Sequence, residues 1–113
     1  MEQEKKIIYL FGFSTRKEFY LESTLVIIKE QLKLGASIKF VLIHDGVVGI
    51  SNHGIKSNLL EELLNLPILV YAVKTDLIAR GISPDNIDKR VNALNYEELV
   101  DILTELPRIV SWM

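Results

Sequence analysis

At 113 residues, 49% of them hydrophobic and 25% charged, the chain has apolar material for a single core and length for one domain, residues 1–113. Its 13 Lys and Arg against 15 Asp and Glu leave a net charge of −2, which does not suit a protein that grips nucleic-acid phosphates directly. The absence of cysteine removes disulfides, thiolate metal ligands, cysteine nucleophiles and persulfide carriage on this chain together.

The first residues, Met1 to Lys6, are mixed in charge and lead into only a short apolar run, so they do not read as a secretory signal. No apolar stretch approaches the roughly 20 residues that cross a bilayer. The expectation is a soluble, cytoplasmic protein without membrane contact.

Ile7-Ile8-Tyr9-Leu10-Phe11 is a continuous apolar run ended by Gly12, the pattern of a buried first strand. Thr15 and Glu18 have capping-box spacing, which predicts a helix from about Arg16 to Leu34, closed by Gly35. Phe19, Leu21, Leu25, Ile28 and Leu32 form its expected inward stripe. The strand, Gly turn and helix start could hold an anion, although with one Gly and no Lys at Walker spacing they read more simply as a cap.

Lys39 to Ile43 is the second strand, stopped by His44-Asp45-Gly46, where Asp hydrogen-bonds locally and Gly is expected at positive φ. Val47 to Lys56 reads as a mobile glycine-bearing loop, and Asn58 with Glu61 predicts a short helix through Asn65. Leu59, Leu60, Leu63 and Leu64 supply its core side, and Pro67 ends it. Ile68 to Val73 is a third buried strand, followed by a helix through Arg80 that Gly81 stops.

Ser83-Pro84 suggests a single turn over Asp85 to Ile87, and Lys89 to Ala93 a short fourth strand. Asn95 and Glu98 make a second capping-box pair, with Leu99, Val100, Ile102, Leu103 and Leu106 turned inward. After Pro107, Arg108 to Met113 forms a last strand. Continuous apolar strands alternating with helices imply a parallel, doubly wound α/β sheet.

In such a sheet, ligands and reacting groups gather at the carboxyl ends of the strands. His44, Asp45 and Gly46 stand at one such end, and Tyr71, Lys74 and Asp76 at or just beyond the next. His44 beside Asp45 could act as an acid or base, or the pair could satisfy backbone groups at the turn. Asp76 or Thr75 could equally cap a helix and leave Lys74 solvated. A metal would need His44, His53 and a carboxylate such as Asp45 to converge, which a glycine-bearing loop works against; no metal or cofactor is expected. Glu61-Glu62 and Glu97-Glu98 read as solvated helix faces, and Ser14, Ser51 and Ser57 lack a nucleophile-elbow setting.

Three stretches together resemble the DsrH/TusB branch of the DsrE/DsrF/DsrH superfamily of sulfur-relay proteins: the strand-Asp45-Gly46-Val47 turn, the run Val70 to Ile82, and the closing Ser111-Trp112. The resemblance spans nearly the whole chain in element order. It implies a three-layer α/β/α sandwich around a five-stranded, mainly parallel sheet. It also implies small cytoplasmic subunits assembled with DsrE/TusD-like and DsrF/TusC-like relatives. Such complexes pass persulfide sulfur toward wobble-uridine thiolation of tRNA or within sulfur oxidation. The active cysteine of DsrE/TusD subunits follows the third strand, whereas the matching region here, around Val73 and Lys74, has none. The expectation is therefore a non-enzymatic accessory subunit in a homo- or hetero-oligomer, without direct nucleic-acid contact. His44, Asp45, Gly46, Tyr71, Lys74, Asp76 and Trp112 are its candidate pocket or interface residues.

Two other classes remain open. One is a free-standing doubly wound module that binds a small anion or nucleotide through the Gly12 turn and Lys74. The other is a hydrolase built on His44 and Asp45.

Overall fold

The five expected strands, the fourth shifted to Val91–Leu94, become five parallel strands in the computed structural model, which describes residues 5–52, 54, 56–105 and 107–113. The strands are β1 (Lys6–Phe11), β2 (Ser37–Leu42), β3 (Leu69–Val73), β4 (Val91–Leu94) and β5 (Arg108–Trp112). They lie in the order β4-β3-β2-β1-β5, every pair parallel. Because side chains alternate across a strand, the register sorts the apolar residues onto two faces.

Tyr9, Phe11, Phe40, Leu42, Val70 and Ala72 share one face with Leu21, Leu25 and Ile28 of α1 (Glu18–Lys33) and Leu60, Leu63 and Leu64 of α2 (Asn58–Leu64). Tyr9, Phe11 and Phe40 form the centre of that layer, with the Tyr9 and Phe40 rings stacked at 6.0 Å. Leu77 of α3 (Lys74–Ala79) joins the same side. Ile8, Val41, Ile43 and Val73 form the other face, covered by Leu99, Ile102 and Leu103 of α4 (Tyr96–Leu103). The result is the three-layer α/β/α sandwich that the resemblance implies, around the parallel sheet expected from the alternation of strands and helices.

Several boundaries and faces differ from expectation for identifiable reasons. Thr15 does not cap α1: it is buried and its hydroxyl donates to the Val48 carbonyl at 2.8 Å, so the helix starts after an uncapped Lys17. Phe19 does not face inward but is 74% exposed, since a helix beginning at Glu18 turns that position to solvent. Ser57, not Asn58, caps α2, its hydroxyl accepting the Leu60 N–H. In α4 both capping-box bonds form between Asn95 and Glu98, while Val100 faces outward. Leu106 and His53 lie outside the described residues.

The segment after β2 is not a free loop. A 3-10 turn over His44–Val47 buries Val47, and Ile50 is also fully buried. Beyond it the Asp88 N–H donates to the Ile50 carbonyl at 2.9 Å, and Ser51 bridges Ile87 antiparallel. Among the described residues no helix is long and apolar enough to cross a membrane.

Candidate functional site

Neighbouring strands that end at the same level bring their following turns together, and β2 and β3 do so here. At the end of β2, His44 adopts φ +49°, the sole non-glycine positive φ among the described residues. His tolerates this left-handed region better than most residues, and such outliers cluster at functional sites. The His44 backbone N–H donates to Asp76 Oδ2 at 3.0 Å, and its Nδ1 lies 3.9 Å from Asp76 Oδ1. The imidazole itself is 62% exposed.

Arg80 ties this arrangement together from α3's carboxyl end. Its Nε and Nη2 both donate to Asp45 Oδ1 at 3.2 Å, and its Nη1 lies 3.7 Å from Asp76 Oδ1. Asp45, Arg80, Asp76 and His44 thus form one chain of charged and polar contacts across the β2 and β3 ends. Arg80 was not among the residues the sequence pattern marked. Its spacing of four from Asp76 on a helix was the signal that could have found it.

Gly46 does not take the positive φ expected of it. The need for glycine is instead one of approach. A Cβ there would stand 2.2 Å from the Phe11 carbonyl oxygen, which accepts the Ile43 N–H at 3.0 Å.

The remaining candidates divide. Lys74 opens α3, half-buried, and forms no ion pair among the described residues. Tyr71 packs beside Ile43 and Val73 on the α4 side of the sheet, apart from the charged chain. Trp112 ends β5 opposite Phe11, with its carbonyl accepting the Gly12 N–H at 2.7 Å. Its indole N–H is buried without a partner among the described residues. Gly12 is flanked by the His44 ring and Met113: a Cβ at Gly12 would lie 3.6 Å from His44 Cδ2 and 3.2 Å from Met113 Cγ. His44 and the β5 end therefore border the same strand terminus. Among the described residues no group of three or more His, Asp and Glu side chains converges as metal ligands would.

A second ionic cluster, unmarked by the sequence pattern, fastens the far side of the fold. Arg90 donates to Asp88 Oδ2 at 2.8 Å and Oδ1 at 2.9 Å, to Glu61 at 3.0 and 3.1 Å, and to Asn65 at 2.9 Å. Lys56 adds an ion pair to Asp88 at 3.3 Å. The Arg90 hydrogen bonds hold the Asp88 carboxyl well below the usual carboxylate range and outweigh its burial. The same guanidinium lowers Glu61, and the two carboxylates raise Arg90 in return. Glu61 and Glu62 are consequently not a free solvated face, since Glu62 pairs with Lys29 of α1. This cluster is built to hold α2 and the approach to β4 in place.

A model of the family described as DsrH-like protein matches residues 20–108. Protein TusB of an Enterobacter species is 33% identical over 79 residues, spanning 70% of this chain and 79% of that protein. Protein TusB of Buchnera aphidicola is 39% identical over 59 residues, or 51% of this chain and 61% of that protein. Among solved structures, the ychN protein of E. coli superposes with a TM-score of 0.73, covering 97% of this chain and 100% of that one at 20% identity.

Proposed function

The chain belongs to the DsrH-like family, and from that premise we propose that it is a non-catalytic subunit of a cytoplasmic sulfur-relay complex. The relay serves wobble-uridine 2-thiolation of tRNA or a sulfur-oxidation pathway. One observation carries the reading: a family match over most of the chain is joined to a complete absence of cysteine. A thiolate is what attacks and carries persulfide sulfur, so sulfur passes along partner subunits and never through this chain.

Its contribution is surface. The His44, Asp45, Asp76 and Arg80 chain, with Trp112 and Lys74 beside it, is the edge offered to a DsrE/TusD-like or DsrF/TusC-like partner. The Asp45, Asp76 and Arg80 side chains there are held by mutual contacts, which lowers the ordering cost of docking. The exposed His44 imidazole is part of that edge.

Reconstitution with a cysteine-bearing relative and a persulfide donor, followed by intact-mass spectrometry, tests this. A stable complex in which only the partner gains sulfur mass is expected. A chain that stays monomeric and ignores every such relative overturns the reading.

A further inference from the structure

Opposite the site, at the amino ends of the strands, β1, β5 and the carboxyl end of α1 border a half-open cavity of about 420 Å³. Its walls include Lys5, Ile7, Gln31, Leu34, Ala36 and Arg108. Arg108 is the register partner of Ile7, so both side chains leave the sheet on the α1 face. Lys6 also borders the cavity, but its ammonium reaches Glu105 at 4.0 Å.

The polar side chains on this cavity offer donors and almost nothing that accepts. Lys5 and Arg108 form no ion pair among the described residues. Gln31 Oε1 already accepts the Tyr9 hydroxyl, which leaves its amide N–H groups. The neighbouring carbonyls are engaged as well. Gln31 O accepts from Leu34 and Ala36, Leu32 O from Gly35, and Lys5 O from Ser37. Beside the donors lie Ile7, Ala36 and Leu34, the last 79% exposed at the rim.

We infer that this cavity is a binding site for a small amphipathic anion, a carboxylate or phosphate head on a short apolar body. The head sits between Arg108, whose fork matches either oxyanion, and Lys5. The body lies over Ile7, Ala36 and Leu34. The volume falls in the ordinary range of small-molecule sites, about 300–1,000 Å³. The proposal does not depend on the sulfur-relay reading, since it uses the opposite end of the sheet.

Amide NMR titration of the full chain with hexyl phosphate, hexanoate, inorganic phosphate and hexanol tests it. Saturable shifts at Ile7, Ala36, Arg108 and the Gln31 side-chain amide are expected with at least one amphiphile, the tighter one identifying the head. Phosphate and hexanol should bind at least tenfold more weakly. The pair K5Q and R108Q, and separately L34E, should each lower amphiphile affinity at least tenfold while melting as the parent does. Should R108Q disturb β5, L34E alone decides. Shifts that scatter without saturating, hexanol binding as tightly as the amphiphiles, or affinity unchanged in L34E would overturn the proposal.

Discussion

A methyl group at position 46 would have to share space with the Phe11 carbonyl oxygen, 2.2 Å from where it would sit. Backbone cannot swing aside as a flexible side chain can, so Gly46→Ala should destabilise by about 3 kcal/mol in chemical denaturation. Gly35 supplies the contrast: φ is +84° but nothing lies within 4 Å of an added Cβ. Gly35→Ala should cost only about 1 kcal/mol, the left-handed backbone penalty alone. If the two variants lose the same stability, crowding is not what position 46 demands. Asp88 presents a different dependence. Its folded carboxyl is depressed below its ordinary value, so the stability it contributes is fully present above the unfolded pKa of about 4 and is lost progressively as pH falls below that toward the depressed folded value. Asp88→Asn should cost about 2 kcal/mol at neutral pH, a charged hydrogen bond lost from a buried site, and should flatten the acid limb of the stability curve. Equal acid limbs in parent and variant would show that other carboxylates govern it. At this scale the sequence was partly legible. The glycine was marked by its turn setting, but the pairing of Arg90 with Glu61 joins residues far apart in the chain, and no local spacing announces it.

Among the elements, β1, β2 and β3 were readable because a strand buried on both faces is a nearly continuous apolar run. Helix starts were less so, and two capping-box spacings show why. Asn95 and Glu98 sit at a surface where both side chains are free to turn back on the backbone, and both bonds form. Thr15 and Glu18 have the same spacing, but burial commits the Thr15 hydroxyl to Val48. Asn95→Ala should therefore cost about 1 kcal/mol, measured by thermal melting. The closing strand makes a larger contribution. β5 pairs with β1 over its whole length, and Val110 and Trp112 pack against the main core. Removing Arg108 to Met113 should lower the melting temperature, because it strips one ladder and leaves the Phe11 side of the sheet open. A truncated chain that melts unchanged would mean that β5 does not hold the sheet.

For the whole molecule, sheet order sets the gradient of stability. β1, β2 and β3 are flanked on both sides, β1 and β2 at the centre of the sheet, whereas β4 and β5 each have one open edge. Hydrogen exchange should be slowest in β1 and β2 and fastest in the edge strands; a reversed order would contradict the topology. The candidate site was legible as a place, because the carboxyl ends of β2 and β3 follow from alternation alone. Its Arg80 link, and the cavity at the opposite end, arise only where segments distant in sequence meet. β5 lies beside β1 at the edge of the sheet. Of these five strands β1 is made before all the others and β5 after them, so a nascent chain leaving the ribosome carries β1 with one bare hydrogen-bonding edge until β5 emerges. For that interval the growing polypeptide offers a template to any neighbouring extended segment, which makes translation pauses shortly before β5 the moment of greatest exposure to misassembly and to chaperone capture.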